Sequence, residues 1–178
     1  MDVHEAIRTR RSVRAYSDQP ISDHVMARMR QALRAAPSAC NIQPWHFVLV
    51  SDARLRSQLG GAAHNQPWIA DAPIIVVGCG WPEKAYQRMG GYGNSVDIDV
   101  AIALDHLMLA AVSEGLGTCW IGSFSEEEVK RLLHVPPAAK VVAMTPLGYP
   151  ASADLNAPLR EDARQPEASI FSSNRFSG

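Results

Sequence analysis

The stretch of sequence that decides the fold is "SVDIDVAIALDHLMLAAVSEGLGTCWIG", residues 95–122. Its apolar residues fall on nearly every side of a helix, which predicts a long, central and buried helix over 95–114. Gly115 and Gly117 end that helix, and "TCWIG" at 118–122 predicts a strand directly after it. The segment therefore predicts a chain built around one internal helix with a sheet packed against it.

Other short apolar runs supply the remaining predicted strands. They are rich in β-branched residues and have no polar alternation, as is typical of strands that are buried on both faces. These runs are "FVLV" at 47–50, "IIVVGC" at 74–79 and "VVAM" at 141–144. Strands and helices therefore alternate along the chain.

Three further helices are predicted by spacing and by capping residues. The first covers residues 2–10. Ser22 caps the second, which ends before Pro37 because proline disfavours a helical conformation in the preceding residue. Ser125 opens the third, "EEEVKRLLHV", with capping-box spacing to Glu128. After Pro150 a polar tail follows, and its few apolar residues fit either a disordered end or an arm that docks on another subunit.

Composition limits the classes of function. At 178 residues, with 47% hydrophobic and 20% charged residues, the chain fits one globular domain. A net charge of −1 argues against nucleic acid or an anionic membrane as the main partner. The three cysteines are far apart, which suits a reducing compartment. The N-terminus "MDVHEAIRTRR" lacks the apolar stretch of a signal peptide, so the cytoplasm is the expected location.

The glycines of "GLGTCWIG" do not form a dinucleotide-binding fingerprint. That motif requires a strand, then the glycines, then a helix, whereas here a helix precedes the glycines and a strand follows them. The backbone N–H groups of Ile121, Gly122 and Ser123 would be exposed where the chain leaves the strand. A simple tight turn explains the same pattern, and both interpretations stay open.

A cluster of arginines occurs in "RTRRSVRAYS", which contains Arg8, Arg10, Arg11, Ser12 and Arg14. On a solvated helix face such a cluster would have no special role. Here it straddles a predicted helix end, where guanidinium groups can converge on one anion through paired N–H donors. Four charges are too few for a nucleic-acid groove in a chain of net charge −1, so a single phosphate is the better match.

The segment "APSACNIQPWHFVLV", residues 36–50, suggests a cysteine hydrolase because Cys40 and His46 lie close in sequence. Cys40 follows a helix C-terminus, where the helix dipole disfavours a thiolate. No cysteine-protease signature surrounds either residue. The six histidines also have no spacing suited to a metal, and no metal site is predicted.

Taken in order along the chain, these motifs resemble the FMN-dependent nitroreductase family. The resemblance rests on "RRSVRAY", "PSACNIQPWHFVLV", "DAPIIVV", "LAAVSEGLGTCWIGSF", "GYP" and "ARQPEASIFSSNRF", and it covers nearly the whole chain. It implies an α+β fold with a mixed, mostly antiparallel sheet flanked by helices, formed by residues 1–178 as one domain. It also implies an intertwined homodimer, in which residues 151–178 form a C-terminal arm that crosses to the partner subunit.

The resemblance further implies which residues hold FMN. Arg10, Ser12 and the backbone of Arg11 would hold the phosphate and ribityl end, and Arg14 would approach the N1/O2 edge of the ring. The turn at residues 121–123 would face N5 and O4. The opposite subunit would supply Pro37, Ser38 and Ala39, and the remaining contacts would come from Asn41, Gln43, Asn65 and Arg164.

Two departures from the family pattern affect these assignments. Asp162 and Ala163 stand before Arg164, where a second basic residue is common, so Arg160 is an alternative phosphate ligand. Pro67 and Trp68 follow Asn65 where a long polar residue is common. The loop at 89–94 could cover the site.

The implied function is an NADH- or NADPH-dependent oxidoreductase that works in two alternating half-reactions. NAD(P)H would deliver hydride to the flavin N5, and a nitroaromatic, a quinone or a free flavin would then accept the electrons. No catalytic side chain is assigned. The alternatives are a specialised enzyme of the same fold (a dehalogenase, a flavin-fragmenting enzyme or an azoline dehydrogenase), a non-catalytic flavin- or nucleotide-binding module, and a hydrolase based on Cys40.

Overall fold

The computed structural model describes residues 1–91, 93–152 and 159–176. Tyr92 of the predicted 89–94 loop, and residues 153–158 and 177–178 of the predicted arm, lie outside these ranges. The helices are α1 (Val3–Thr9), α2 (Asp23–Arg34), α3 (Ala53–Ala62), α4 (Val96–Ser113), α5 (Glu126–Leu133) and α6 (Glu167–Ile170). The strands are β1 (Trp45–Val50), β2 (Ile74–Gly80), β3 (Gly117–Thr118) and β4 (Lys140–Gly148).

The strands form one four-stranded sheet in the order β1-β2-β4-β3, and each neighbouring pair is antiparallel. A parallel bridge between Ser12 and Thr118 adds a further piece of chain beside β3. The prediction of a mixed, mostly antiparallel sheet is therefore confirmed. β2 is buried along nearly its whole length, which explains its continuous apolar sequence.

Helices cover both faces of the sheet. On one face, Met29 of α2 and Leu104 of α4 pack against Val76 and Leu147 of the sheet. On the other face, Leu59 of α3 and Val129 of α5 pack against alternate sheet residues such as Val77 and Met144. Because neighbouring strand residues point to opposite faces, the two cores share the same strands.

Helix α4 lies unusually close to the sheet, and glycines in β2 make this approach possible. A Cβ atom at Gly78 would lie 2.9 Å from the Val100 side chain, and one at Gly80 would lie 2.4 Å from that of Val96. The predicted central helix is thus confirmed, with bounds of Val96–Ser113.

The predicted strand at 118–122 is wrong in extent. β3 ends at Thr118, and Ile121 pairs with Met144 only as an isolated bridge. The register of these two pairs places Cys119 opposite Pro146, and proline has no N–H to donate to a neighbouring strand. The Cys119 N–H instead donates to the Thr145 side-chain oxygen at 3.2 Å. The ladder is therefore interrupted at the point where the chain turns outward.

Helix α3 was not predicted, although its signals are present in the sequence. Asp52 caps it by accepting a hydrogen bond from the Leu55 N–H at 2.8 Å. Two glycines near its end weaken the helical pattern. The caps that were predicted are observed: Ser22 accepts from the Val25 N–H, and Ser125 accepts from the Glu128 N–H.

The described part of the tail leaves large apolar side chains uncovered. Ile170, Phe171 and Phe176 are 54%, 70% and 96% exposed. The Leu159 N–H donates to the Arg8 carbonyl at 3.2 Å, so the tail lies beside α1 at this residue. Across the residues that the structure describes, no helix is both long and apolar enough to pass through a bilayer.

Candidate functional site

The arginine segment, Arg10–Arg14, leaves α1 in an extended conformation and runs along the outer side of β3. The Val13 N–H donates to the Thr118 carbonyl at 2.9 Å, and the Val13 side chain is fully buried. Ser12 and Arg14 are exposed on either side of it. Alternation along an extended chain therefore directs these two side chains away from the core.

Close packing fixes the arginine segment against β3. A Cβ atom at Gly117 would lie 2.6 Å from the Val13 side chain, so only glycine allows this approach. The Tyr16 hydroxyl donates to the Val13 carbonyl at 2.7 Å. Burial raises the pKa of Tyr16, with a further contribution from Cys119, so this hydroxyl stays protonated and remains a donor. The segment is thus held through its backbone and through Val13, which leaves the Ser12 and Arg14 side chains exposed.

Positive charges converge at the arginine segment. Partial burial, followed by the nearby charges of Arg10 and Arg164, lowers the pKa of Arg11. The Arg11 guanidinium donates to the Arg8 and Arg10 carbonyls at the end of α1, where a cation is favoured by the helix dipole. Within the described residues, Arg10, Arg11, Arg14 and Arg164 form no salt bridge. The chain therefore gathers cations here without an acidic partner.

Arg160 is placed differently from Arg164. Its guanidinium forms a bidentate salt bridge with the Asp162 carboxylate, which raises the pKa of Arg160 and lowers that of Asp162. Arg164 is the tail residue whose charge acts on Arg11. Of the two candidate phosphate ligands, Arg160 is thus paired with a carboxylate, whereas the charge of Arg164 acts on the arginine segment.

The turn after β3 offers free backbone donors. The Ile121 side chain is buried, and its N–H and carbonyl are both bonded to Met144. Gly122 and Ser123 are exposed, and in the part of the chain that the structure describes their N–H groups have no hydrogen-bond acceptor. A Cβ atom at Gly122 would lie 3.2 Å from Nε1 of Trp120. The amides available to a ligand are thus those of Gly122 and Ser123.

Asn65 belongs to the same region. The Ser125 N–H donates to the Ala62 carbonyl at 2.8 Å, which joins the end of α3 to the chain that follows the 121–123 turn. Asn65 is exposed in a left-handed turn, with φ of 58°. Trp68, just beyond it, packs beside Val13. The structure therefore brings Asn65, residues 121–123, the arginine segment and Arg164 into one region, here named the arginine half.

The remaining predicted residues form a second group, here named the serine segment, which covers residues 37–43. Cys40, Asn41 and Gln43 have φ values of 51°, 55° and 55°. Left-handed backbone costs about 1–2 kcal/mol per residue for side chains other than glycine. Ser38 accepts a hydrogen bond from the Gln43 N–H at 2.9 Å, and the Gln43 side-chain amide donates to the Asn41 side chain at 3.0 Å. The segment is a compact, strained and exposed loop.

Within one chain the two groups lie at opposite ends of the sheet. The serine segment leads into Trp45, which pairs with Gly80 of β2, and Gly80 in turn pairs with Lys140 of β4. At the other side of the sheet, Ser12 pairs with Thr118 of β3, and Thr118 pairs with Leu147 of β4. Lys140 and Leu147 lie at the two ends of β4, and at about 3.3 Å per residue they are roughly 23 Å apart. One chain does not bring all of the predicted residues together.

The suggested pair of Cys40 and His46 is not assembled. Among the described residues no hydrogen bond joins them, and the His46 ring instead packs edge-on against Trp81 at 6.1 Å between centroids. His46 and Cys79 line a cavity of about 210 Å³ that contains none of the predicted site residues. Burial raises the pKa of the Cys79 thiol to about 11, so it is protonated at neutral pH and is a poor nucleophile.

Sequence reasoning missed the residue that holds the serine segment in place. Asp99 of α4 is 2% exposed, and its Oδ1 accepts from the Ala39 N–H at 3.0 Å. The available signal was an acidic residue at a core position of an apolar helix, because such a residue is buried only with partners.

Comparison with known proteins shows which family the chain belongs to. The model of the nitroreductase family matches residues 7–96 and 65–149. A Methanothermobacter thermautotrophicus protein, provisionally named NADH dehydrogenase/NAD(P)H nitroreductase, is 32% identical over 155 residues, covering 85% of this chain and 78% of its own length. The FMN reductase [NAD(P)H] of Bacillus subtilis is 27% identical, covering 88% of this chain and 69% of its own length.

The fold comparison gives the same answer. The crystal structure of a nitroreductase family protein from Clostridium difficile superposes with a TM-score of 0.90 at 26% identity. The match covers 99% of this chain and all of that one. The predicted family and the predicted fold class are therefore both confirmed, and the chain belongs to the nitroreductase family.

Proposed function

We propose that this chain is an FMN-dependent oxidoreductase that uses NADH or NADPH to reduce small acceptors such as nitroaromatics, quinones or free flavins. The observation that carries the proposal is the arginine half. There, among the described residues, guanidinium groups without a carboxylate partner share one region with backbone amides that have no acceptor. Related proteins that are named as NAD(P)H nitroreductase and FMN reductase support the same reaction class.

The residues of the arginine half fit FMN chemically. Arg10, Arg11 and Arg164 have no carboxylate partner among the described residues, and a phosphate would supply that negative charge. Guanidinium groups bind phosphate through paired N–H donors. Ser12 is exposed on the same segment and adds a hydroxyl donor. Bound FMN would supply hydride and electron transfer, which no side chain of this chain provides.

The protein's own groups would bind the cofactor and stabilise its charge. Arg14 is exposed one step beyond the buried Val13, so its fixed charge can face the end of the ring where reduced flavin carries negative charge. The amides of Gly122 and Ser123 would donate to the ring edge, and Asn65 would add a polar contact beside them. No side chain is assigned as an acid or base.

The site would be completed by a second copy of the chain. The serine segment lies at the far end of the sheet from the arginine half, so in a symmetric dimer the serine segment of one copy can reach the arginine half of the other. Ile98 in the first turns of α4 is 43% exposed, and the tail carries exposed Phe171 and Phe176. These surfaces suit a homodimer in which residues 151–178 dock as an exchanged arm.

The function is tested with purified protein. We expect a yellow preparation, or an apoprotein that takes up added FMN, and bleaching of the flavin by NADH or NADPH without oxygen. Reoxidation by a panel of nitroaromatics, quinones and flavins then identifies the acceptor class. A protein that binds no FMN would contradict the flavoprotein proposal, and bound FMN that neither nucleotide reduces would contradict the reductase proposal.

The shared site is tested by mixing two inactive variants. Arg10→Glu disables the arginine half, and Ser38→Trp obstructs the serine segment, so each homodimer should bind FMN poorly. In hybrid dimers one of the two sites is built from undamaged halves, and FMN binding should return to about one site per hybrid. If each site lies within one chain, mixing restores nothing.

Other expectations stay proposals. From composition and from the family resemblance we infer that residues 1–178 form one FMN-binding domain. The same grounds favour a cytoplasmic location and argue against nucleic-acid or membrane partners. The preferred nucleotide and the physiological acceptor are matters for the reduction and reoxidation experiment above.

A further inference from the structure

The serine segment is anchored to the rest of the fold by a hydrogen bond to one buried side chain, that of Asp99. Its internal hydrogen bonds run between its own residues, from the Asn41 N–H to the Ser38 carbonyl and from the Ile42 N–H to the Ala39 carbonyl. Among the residues that the structure describes, the bond from the Ala39 N–H to Asp99 Oδ1 is the one that ties the interior of this loop to another element.

The Asp99 carboxylate is held on both sides. Its Oδ2 accepts from the Ser95 hydroxyl at 2.6 Å, and Ser95 Oγ in turn accepts from the Tyr86 N–H at 3.2 Å. The Ser95 N–H also donates to the Tyr86 carbonyl at 2.9 Å. With both oxygens engaged and the side chain 2% exposed, the direction in which Asp99 meets Ala39 is fixed.

We propose that Asp99 is a positioning residue for flavin binding, which holds the strained serine segment in the conformation that meets the cofactor. This inference rests on the proposed function. The left-handed backbone of Cys40, Asn41 and Gln43 persists only where the surrounding structure restrains it. A loop that is already held in its bound conformation avoids the ordering cost at the moment of binding.

The test compares Asp99→Ala and Asp99→Asn with Asp97→Asn. Asp97 also lies in the first turn of α4, but it is exposed and pairs with Lys140, so its replacement controls for the charge at the helix start. Asp99→Asn keeps an oxygen that can accept from Ala39, and Asp99→Ala removes it. FMN affinity is measured by the quenching of flavin fluorescence.

We expect Asp99→Ala to weaken FMN binding roughly 10- to 100-fold, because a buried hydrogen bond to a charged group is lost. Asp99→Asn should recover most of that loss, to within roughly threefold of the unmodified chain, and Asp97→Asn should match the unmodified chain within about twofold. The visible circular dichroism of the bound flavin should change in Asp99→Ala alone, because its ring environment is altered.

Hydrogen exchange of the FMN-free protein separates this inference from the proposed function. In Asp99→Ala the amides of Ala39, Asn41 and Ile42 should exchange at least about tenfold faster, while the amides of β2 stay protected. Equal exchange and equal FMN affinity in Asp99→Ala and Asp97→Asn would overturn the proposal. If Asp99→Ala fails to fold, Ser95→Ala, which removes the hydroxyl that holds Asp99 Oδ2, decides by the same two measurements. Faster exchange of the Ala39 amide and weaker FMN binding than in Asp97→Asn would support the proposal, and equality with Asp97→Asn would overturn it. A chain that binds no FMN refutes the proposed function, while Ala39 exchange still reports on Asp99.

Discussion

The arginine segment and the serine segment are both proposed to contact FMN, but different interactions fix their conformations. The arginine segment is fixed by a backbone bridge to β3 and by the buried Val13, which leaves the Ser12 and Arg14 side chains exposed. The serine segment has no buried side chain of its own and is tied to the chain by Asp99. Packing changes should therefore damage the first segment, and loss of single hydrogen bonds should damage the second.

The largest effect should come from filling the space behind the arginine segment. In Gly117→Val the new side chain would overlap Val13, whose nearest atom lies 2.6 Å from the position of a Cβ. We expect a loss of about 3 kcal/mol in the free energy of unfolding, measured in urea, together with loss of FMN binding. The control is Gly61→Ala, because Gly61 lies in α3 with no neighbour within 4 Å. A stable Gly117→Val protein would show that this contact does not fix the segment.

The next effect concerns charge in the arginine half. Arg164→Gln should weaken FMN binding roughly 10- to 100-fold, because a charge-assisted contact to the phosphate is lost. The matched control is Arg160→Gln, which removes an exposed arginine paired with Asp162 and should change affinity by less than about twofold. If Arg160→Gln has the larger effect, Arg160 is the tail residue that meets the phosphate.

A smaller effect is expected where the ladder between β3 and β4 is interrupted. Thr145→Val leaves the buried Cys119 N–H without an acceptor, which should cost about 1–3 kcal/mol of stability. Thr118→Val is the matched control, because the Thr118 hydroxyl is buried and, among the described residues, has no hydrogen-bond partner. Thr118→Val should be neutral or stabilising in thermal unfolding. Equal losses in both variants would contradict this account of the turn.

The smallest effect should come from within the serine segment. Ser38→Ala removes the acceptor for the Gln43 N–H, but this group is exposed and water can replace the hydroxyl. We expect FMN affinity to fall by about threefold, well below the effect of Asp99→Ala. Ser113→Ala, at the exposed end of α4, is the control. A loss of FMN affinity as large as that in Asp99→Ala would mean that the hydrogen bonds within the segment, rather than Asp99, fix its conformation.

Much of the architecture was available from local pattern. The central helix, the buried strands and the Ser22 and Ser125 caps depend on residues close together in sequence, and they are observed. The cluster of arginines was visible for the same reason. The helix at Ala53–Ala62 was missed because Gly60 and Gly61 mask its pattern, although Asp52 gave a capping signal.

Other features were decided only by the tertiary structure, because they depend on residues that are far apart in sequence. The strand after Thr118 stops because Pro146 comes to lie opposite Cys119, and the serine segment holds because Asp99, 60 positions along the chain from Ala39, reaches its backbone. Periodicity and composition record which residues prefer burial, and so the sequence by itself determined most of the helices and strands, while the resemblance of its motifs indicated the family. They do not record which buried groups meet, because that is set by how the helices and strands pack.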